Sequence, residues 1–304
     1  MVYRSARFLP EFIRLTREAV AAAGFKDYEI VFVNDGSPDD SLEYLLEQRR
    51  SDPRLRVVEL SRNFGHHRAA LAGLACAAGE NIFLIDCDLE VSPMALVTLA
   101  STFRTMSADV VYGVQHKRKG GFVERVGGQV FWKAFNLLSD TPVPANVLTE
   151  RLMTRAYRDA LLSLGDRNIF LAGMMYWTGF HQVGVPLEKG QRTGRTTYSL
   201  TKRVALLFEA ITSFSTVPLK LVLGLGLALT AAAAAFAAFL VVQKLLNPES
   251  LLMGFTSIAV LIIGTGGIVI TLMGVLGLYI SRIFVQTQGR PTYIVREIHG
   301  KRTS

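Results

Sequence analysis

Cysteine is nearly absent: Cys76 and Cys87 are the only two in 304 residues. Two thiols give no disulfide framework and suit a reducing compartment for the soluble part of the chain. Charge is also scarce, at 19% of residues, against about 25% in an ordinary soluble domain. Half of the residues are apolar, which excludes disorder and collagen-like structure. No GxxxxGK[ST] loop occurs, so a P-loop nucleotidase is disfavoured, and the GLG at 224–226 lies inside an apolar run rather than in a dinucleotide fingerprint. His66 and His67 have only the isolated Cys76 nearby, too little for a zinc pattern. No signal peptide is expected at Met1–Leu9, which carries two arginines and no long apolar core. The length suits one medium domain with a smaller part, or two modest domains.

What the chain does have is apolar sequence concentrated at one end. Residues 1–216 read as ordinary globular sequence, while 217–281 is almost uncharged. Leu221–Val242 runs 22 residues without a charge and Leu251–Ser281 runs 31. About 20 apolar residues cross a hydrocarbon core, so both qualify as transmembrane helices, at about 219–242 and 251–281. The second is long enough to tilt or to pass the interface. The link QKLLNPES (243–250) is short, and basic residues flank the outer sides: Lys202, Arg203 and Lys220 before, Arg282, Arg290 and Arg296 after. By the positive-inside rule both termini are cytoplasmic and the hairpin tip faces the other side. Leu200, Val204, Leu207, Phe208, Ile211 and Phe214 recur at helical spacing around Lys202 and Arg203, which predicts an amphipathic interface helix over 199–216. The formal charge is +8. In a chain with membrane segments this points to anionic lipid and away from nucleic acid as the partner.

The preceding part alternates between two periods. Strand-like runs appear at Glu29–Val33, Arg56–Leu60, Asn81–Ile85 and Asp109–Val114, separated by helical patterns at Pro10–Ala23, Leu42–Arg50, Arg68–Ala78 and Pro93–Thr105. This alternation predicts an α/β domain with a mainly parallel sheet, whose ligands bind at the carboxyl ends of strands. The helix at Pro10–Ala23 needs a strand before it, and only Met1–Val2 precede Tyr3. The first strand therefore reads as truncated, or the natural beginning lies upstream.

Two acidic clusters fall at predicted strand ends: NDGSPDDS (34–41) and DCDLE (86–90). Asp86 and Asp88 are one residue apart. On an extended backbone their side chains point the same way and converge on one hard cation such as Mg²⁺ or Mn²⁺. Asp35 ends the first run, before Gly36 and Ser37. It suits either a nucleobase contact or a turn, with Ser37 or Asp39 capping the next helix. His66 and His67, beside Arg62, Asn63 and Arg68, read as a polar loop of a nucleotide pocket.

NDGSPDDS, then SRNFGHHRAALAGL (61–74), then DCDLE, in this order and spacing, resembles the GT-A inverting glycosyltransferases of the dolichol-phosphate mannose synthase type. The two apolar runs, ITSFSTVPLK (211–220) and RPTYIVREIHG (290–300) narrow the resemblance to the membrane-anchored bacterial polyprenyl-phosphate glycosyltransferases, and it covers nearly the whole chain. The resemblance implies a Rossmann-like GT-A domain over 1–198, the interface helix over 199–216, two transmembrane helices within 217–284 and a cytoplasmic tail over 285–304. It implies a metal-dependent, inverting transfer of a sugar from a nucleotide-sugar to undecaprenyl phosphate on the cytoplasmic face of a bacterial inner membrane, for modification of cell-envelope glycans. It also implies a homo-oligomer such as a tetramer. Tyr3, Asp35 and Asp86 would bind the nucleotide-sugar. Asp86, Asp88 and Glu90 would hold Mg²⁺ or Mn²⁺, and Arg192 in QRTGRTTYS (191–199) would contact phosphate.

The chain departs from that family in three places. Where the family shows DFRLM, with an Asp that can act as base, this chain has PANVLTERLM (144–153), which puts Thr149 in the place of that Asp and Glu150 beside it. Asp88 and Glu150 are therefore the expected catalytic residues. Glu150 reaches the site only if the segment is irregular, because neighbours on an extended strand face opposite ways. FLAG (170–173) lacks an arginine common in the family, and the first strand is reduced to Val2 and Tyr3. A non-catalytic binding or scaffold protein and a transferase with another lipid acceptor, such as diacylglycerol, are the competing readings.

Overall fold

The computed structural model describes residues 1–115, 144, 146–190, 217–246 and 255–300. The elements run α1 (Leu9–Ala22), β1 (Ile30–Asn34), α2 (Ser41–Ser51), β2 (Leu55–Leu60), α3 (His66–Cys76), β3 (Asn81–Leu84), α4 (Ala95–Met106) and β4 (Val110–Gln115). They continue with β5 (Val147–Thr154), α5 (Arg155–Ser163), α6 (Leu171–Trp177), β6 (Gln182–Leu187), α7 (Val217–Leu246), α8 (Phe255–Thr287) and β7 (Val295–His299). Local chemistry sets several boundaries. Pro10 and Glu11 open α1, where a missing amide and a negative charge both suit a helix start. Phe12, Ile13, Thr16, Ala19 and Val20 then form its buried stripe. The Thr154 hydroxyl caps α5 by accepting the Tyr157 amide at 3.2 Å.

The strands form two sheets, ordered β1-β2-β7 and β3-β5-β4-β6. β1 and β2 are parallel, as are β4 and β6. β5 runs antiparallel to both β3 and β4, and β7 antiparallel to β2. The expectation of a mainly parallel sheet is corrected here: β5 inserts between β3 and β4, and antiparallel ladders need no crossover helix to announce them. β2 is buried along its whole length, so its charged residues have partners. Arg56 donates to Glu29 at 2.8 Å and to the Cys76 carbonyl at 2.9 Å, and Glu59 receives Arg296 at 2.9 Å. Met1–Val2 keep one rung of a strand: the Val2 amide donates to the Val33 carbonyl, and the Asp35 amide to the Val2 carbonyl.

α7 and α8 are both long and apolar enough to cross a membrane, and no residue of their most apolar windows is buried. At 1.5 Å per residue, 30 and 33 residues give about 45 and 50 Å, more than a hydrocarbon core of about 30 Å. The end of α8 is fastened to the loop after α5. Arg282 donates to the Asn168 side chain at 3.0 Å, and the Arg167 amide donates to Gln286 at 2.9 Å. Eight residues past α8, β7 joins the first sheet. The segment expected as an interface helix, 199–216, lies outside the described residues.

Candidate active site

The carboxyl ends of β1 and β3 meet around Met1–Val2. Val2 bridges to Asn34 at the end of β1. The Met1 carbonyl accepts the Cys87 thiol, just past β3, at 2.6 Å. The two acidic clusters of the sequence therefore hang from neighbouring strand ends.

Asp35 is buried at 3% exposure. One carboxylate oxygen accepts the Phe64 amide at 2.7 Å and the other accepts the Gly65 amide at 3.0 Å. The carboxylate thus clamps the loop between β2 and α3 onto the end of β1. Gly36 permits that approach: its φ is +62°, and a Cβ there would lie 2.7 Å from the Asn63 nitrogen. The N-cap position of α2 is Asp40, without a side-chain bond, but the Asp39 carboxylate accepts the amide of Ser41, the first residue of the helix, at 3.3 Å. Asp39 also accepts the Ser37 hydroxyl at 2.5 Å and the Ala6 amide at 3.1 Å, which ties the turn to the N-terminal segment. Burial would raise the Asp39 carboxyl, but the Ser37 and Ser41 hydroxyls and the Ala6 amide outweigh it and hold the group at about 2. Tyr3 lies at the rim, 45% exposed, with the Arg4 guanidinium 5.7 Å from its ring centre.

The second cluster is a set of carboxylates with one lysine. Asp86 is half-buried, with His66 Nδ1 3.5 Å from its carboxylate. Asp88 is open to solvent and accepts the Glu90 amide at 3.0 Å. Partial desolvation in the cleft, and then the charges of Asp86 and Glu90, raise the Asp88 carboxyl. Glu90 is drawn to Lys189, whose Nζ lies 2.5 Å from it, and the Gly190 amide donates to the Glu90 carbonyl at 2.7 Å. Glu150, on β5, is buried at 6% exposure. Burial pushes its carboxyl up to about 7, and the charges of Asp86 and Asp88 add to the rise while Lys189 opposes it.

Glu150 lies in an irregular stretch of β5: Arg151 pairs with Tyr112 of β4 but Val147 pairs with Val114, so the ladder is bulged across 148–150, as the expectation for Glu150 required. On the regular side of the bulge Leu152 packs in the cluster containing α4 residues Leu96 and Leu99. Neither nearby arginine pairs with Glu150 among the described residues. Arg151 donates to the Thr149 and Leu148 carbonyls, and Arg155 is held by the carbonyls of Gly79 and Ala78 and by Glu80.

The donor set suits a hard divalent cation. Asp86 and Asp88 are all-oxygen ligands whose mutual repulsion a cation would relieve. Glu90 is committed to Lys189, and Asp86, Asp88 and Glu90 do not bring one oxygen each within 4.8 Å of one another. Among the described residues Glu59, Glu297 and His299, on β2 and β7, are the group that does, and Arg296 already neutralises Glu59.

Residues 2–163 match the family described as glycosyl transferase family 2. The chain belongs to that family. A relative from Mycobacterium tuberculosis, named as a glycosyltransferase, is 39% identical over 299 residues, 98% of this chain and 86% of that protein. The SfII prophage-derived bactoprenol glucosyl transferase of Shigella flexneri is 31% identical over 302 residues, 98% of this chain and 96% of that protein. Among solved structures, the mannosyltransferase PcManGT of Pyrobaculum calidifontis, in complex with GDP-Man and Mn²⁺, aligns with a TM-score of 0.47 and 17% identity. It covers 94% of this chain and 84% of that one.

This family 2 enzyme has a GT-A-like mixed α/β fold followed by two apolar helices. Asp35, Asp86, Asp88, Glu90 and Glu150 gather at or beside the strand ends, Tyr3 stays at the rim, and Arg192 lies outside the described residues. Lys189 and the His66–Asp86 contact were not singled out from sequence. Lys189 lies two residues past β6, whose alternating Val183, Val185 and Leu187 pack in the core, and no motif in the sequence pairs it with Glu90, about a hundred residues earlier. His66 belonged to a recognised polar loop, but its partner is 20 residues away.

Proposed function

We propose that this enzyme transfers a sugar from a nucleotide-sugar to polyprenyl phosphate, undecaprenyl phosphate in a bacterial inner membrane, with inversion at the anomeric carbon. The observation that carries the proposal is the register of β5 on β3, where Arg151 pairs with Leu84 and so sets Glu150 beside the strand end that Asp86 and Asp88 follow, in a chain that also bears two long apolar helices. The Shigella flexneri relative, named for bactoprenol, supports a polyprenyl acceptor.

In this reading Tyr3 and Asp35 flank the base. Each Asp35 oxygen already accepts one amide and keeps a second lone pair for a base N–H. Asp86 and Asp88 would hold Mg²⁺ or Mn²⁺, which when bound offsets charge developing on the departing nucleoside diphosphate. Lys189 withdraws Glu90 from that pair, and His66 orients Asp86. Glu150, titrating at about 7, is partly ionised near neutral pH. It accepts a proton from, or donates a hydrogen bond to, the attacking lipid phosphate. Arg192 pairs with phosphate. The domain sits at the cytoplasmic face as a homo-oligomer, with both termini on that side, and its product feeds cell-envelope glycan modification.

The test incubates membranes containing the enzyme with undecaprenyl phosphate and a panel of labelled nucleotide-sugars, with mass analysis of the lipid fraction. A polyprenyl-phosphate sugar is the expected product. Label on diacylglycerol would replace the acceptor class, and no lipid product with any donor would overturn the reading.

A further inference from the structure

β3 and β6 are the two edges of the four-stranded sheet, three strand spacings or roughly 14 Å apart. They run in the same direction, through β5 and β4, so their carboxyl ends lie at the same end of the sheet. The chain bridges the two edges there. Lys189, two residues past β6, puts Nζ 2.5 Å from Glu90 in the loop after β3, and the Gly190 amide donates to the Glu90 carbonyl at 2.7 Å. A Cβ at Gly190 would lie 3.3 Å from that carbonyl oxygen, so the strap is drawn close against the loop. Glu90 is held by side chain and backbone together, and its side chain is 11% exposed. The charge of Lys189 also opposes the rise that burial causes in the Asp88 and Glu150 carboxyls.

The loop itself departs from the geometry that its spacing suggests. On an extended backbone Asp86, Asp88 and Glu90, at alternate positions, would all point one way. Leu89 breaks that alternation. Its φ is +60°, in the left-handed region that a leucine adopts only under constraint. The constraint is visible on both sides: the Leu89 side chain packs against the core cluster of Val2, Phe12 and Phe32, and the Glu90 amide turns back to the Asp88 carboxylate at 3.0 Å. The chain turns between Asp88 and Glu90, so Glu90 leaves the line of the acidic pair and meets Lys189.

We infer that Lys189 is a positioning residue that reserves part of the divalent cation's shell for the diphosphate of the donor: by holding Glu90, it leaves Asp86 and Asp88 as the carboxylates of this cluster on the ion. Sites for Mg²⁺ on phosphate substrates use one or two carboxylates, with water and phosphate oxygens in the other positions. A third carboxylate would take one of those positions and add a negative charge beside the phosphates. With Glu90 kept on Lys189, that position stays open to water in the free enzyme and to a phosphate oxygen in the complex. This role rests on the proposed use of Asp86 and Asp88 as metal ligands, and it takes Glu90 out of the ligand set expected from sequence.

The test uses the detergent-solubilised full chain with Mn²⁺ alone, and counts the waters on the bound ion from the broadening of its EPR lines in isotopically labelled water. Lys189→Met should free Glu90 to join the ion, so that Mn²⁺ binds about tenfold or more tightly than to wild type and carries one water fewer. Glu90→Gln should leave the wild-type water count unchanged, and Lys189→Met combined with Glu90→Gln should restore that count. A gain of one water in Glu90→Gln would show Glu90 already on the ion in wild type and overturn the role. A Lys189→Met protein with the wild-type water count would overturn it too, as would Mn²⁺ bound to neither protein at millimolar ion. Glu90→Gln is read with Lys189 in place, so the role stays open to refutation even where Lys189→Met does not fold. A lipid product missing with every nucleotide-sugar would remove the transferase reading while these water counts stand.

Discussion

Replacing Glu150 by Gln should make the folded chain more stable and the enzyme slower, with a pH signature that separates the two effects. Glu150 is 6% exposed, and its carboxyl is raised from the ordinary 4.5 to about 7, first by burial and then by Asp86 and Asp88. Between these two values the folded chain holds a proton that the unfolded chain has released. Stability therefore falls as pH rises through that window, by about 1.4 kcal/mol per pH unit. By pH 8 the ionised Glu150 costs roughly 3 kcal/mol. Glutamine has nearly the same shape and no titration, so it escapes this cost. Glu150→Gln should match wild type near pH 4 and exceed it by roughly 3 kcal/mol at pH 8, which is about 6 °C or more in Tm at 2–4 °C per kcal/mol.

The assay is thermal unfolding in detergent and EDTA across pH 4 to 8, beside lipid-linked sugar formation at pH 7.5. Turnover should fall roughly 10²-fold or more with donor binding little changed. Adding Mg²⁺ should shrink the stability gap, because a cation beside Asp86 favours the ionised carboxylate. Parallel stability–pH curves for the two proteins would refute the buried-carboxylate argument. A turnover loss below about threefold, against the typical general-base contribution, would remove Glu150 from the chemistry and leave the ionised lipid phosphate as an unassisted nucleophile.

Three further outcomes are expected. Asp88→Asn should abolish sugar transfer while membrane insertion persists, and full activity in excess EDTA would contradict the metal role of Asp86 and Asp88. Gly36→Ala should destabilise the domain by about 1–3 kcal/mol, since its Cβ would meet the Asn63 nitrogen at 2.7 Å; a denaturation midpoint equal to wild type would show that the two loops can separate freely. A cysteine at Asn247, in a chain lacking Cys76 and Cys87, should react with an impermeant thiol reagent only from the periplasmic side, and reaction only from the cytoplasmic side would invert the topology.

The first four strands and helices were legible because apolar alternation and helical stripes switch at clear turn residues. Asn81–Ile85 is expected where β3 (Asn81–Leu84) lies, and Pro10–Ala23 where α1 (Leu9–Ala22) lies. β5 was not legible as a strand, since VLTERLMT mixes buried Glu150 and Arg151 into an apolar run and buries both faces. A period-2 pattern appears only where one face meets water. β7 escaped for the opposite reason: VREIH is largely exposed, and its pairing with β2 depends on Arg296 reaching Glu59 across more than two hundred residues. The acidic pair Asp86 and Asp88 was legible by spacing alone. The orientation of Glu150 was not, because it depends on a bulge in β5 that the sequence does not reveal.

β7 and the loop after α5 also bear on how an apolar hairpin can serve a polar active site. A helix joined to a domain by a free linker would let the site wander relative to the lipid surface. α8 has no such freedom at its end: Arg282 and Gln286 are hydrogen-bonded to residues 165–168, and β7 starts eight residues after Thr287 and ladders onto β2. β2 in turn pairs with β1, whose end carries Asp35. In the proposed reading, the depth at which α8 sits in lipid is thus passed through a short run of hydrogen bonds to the sheet that carries part of the site. A polyprenyl phosphate presents its charge at one fixed level, the headgroup plane. Holding the acid cluster at that level supplies part of the positioning that a soluble transferase must obtain from substrate binding alone.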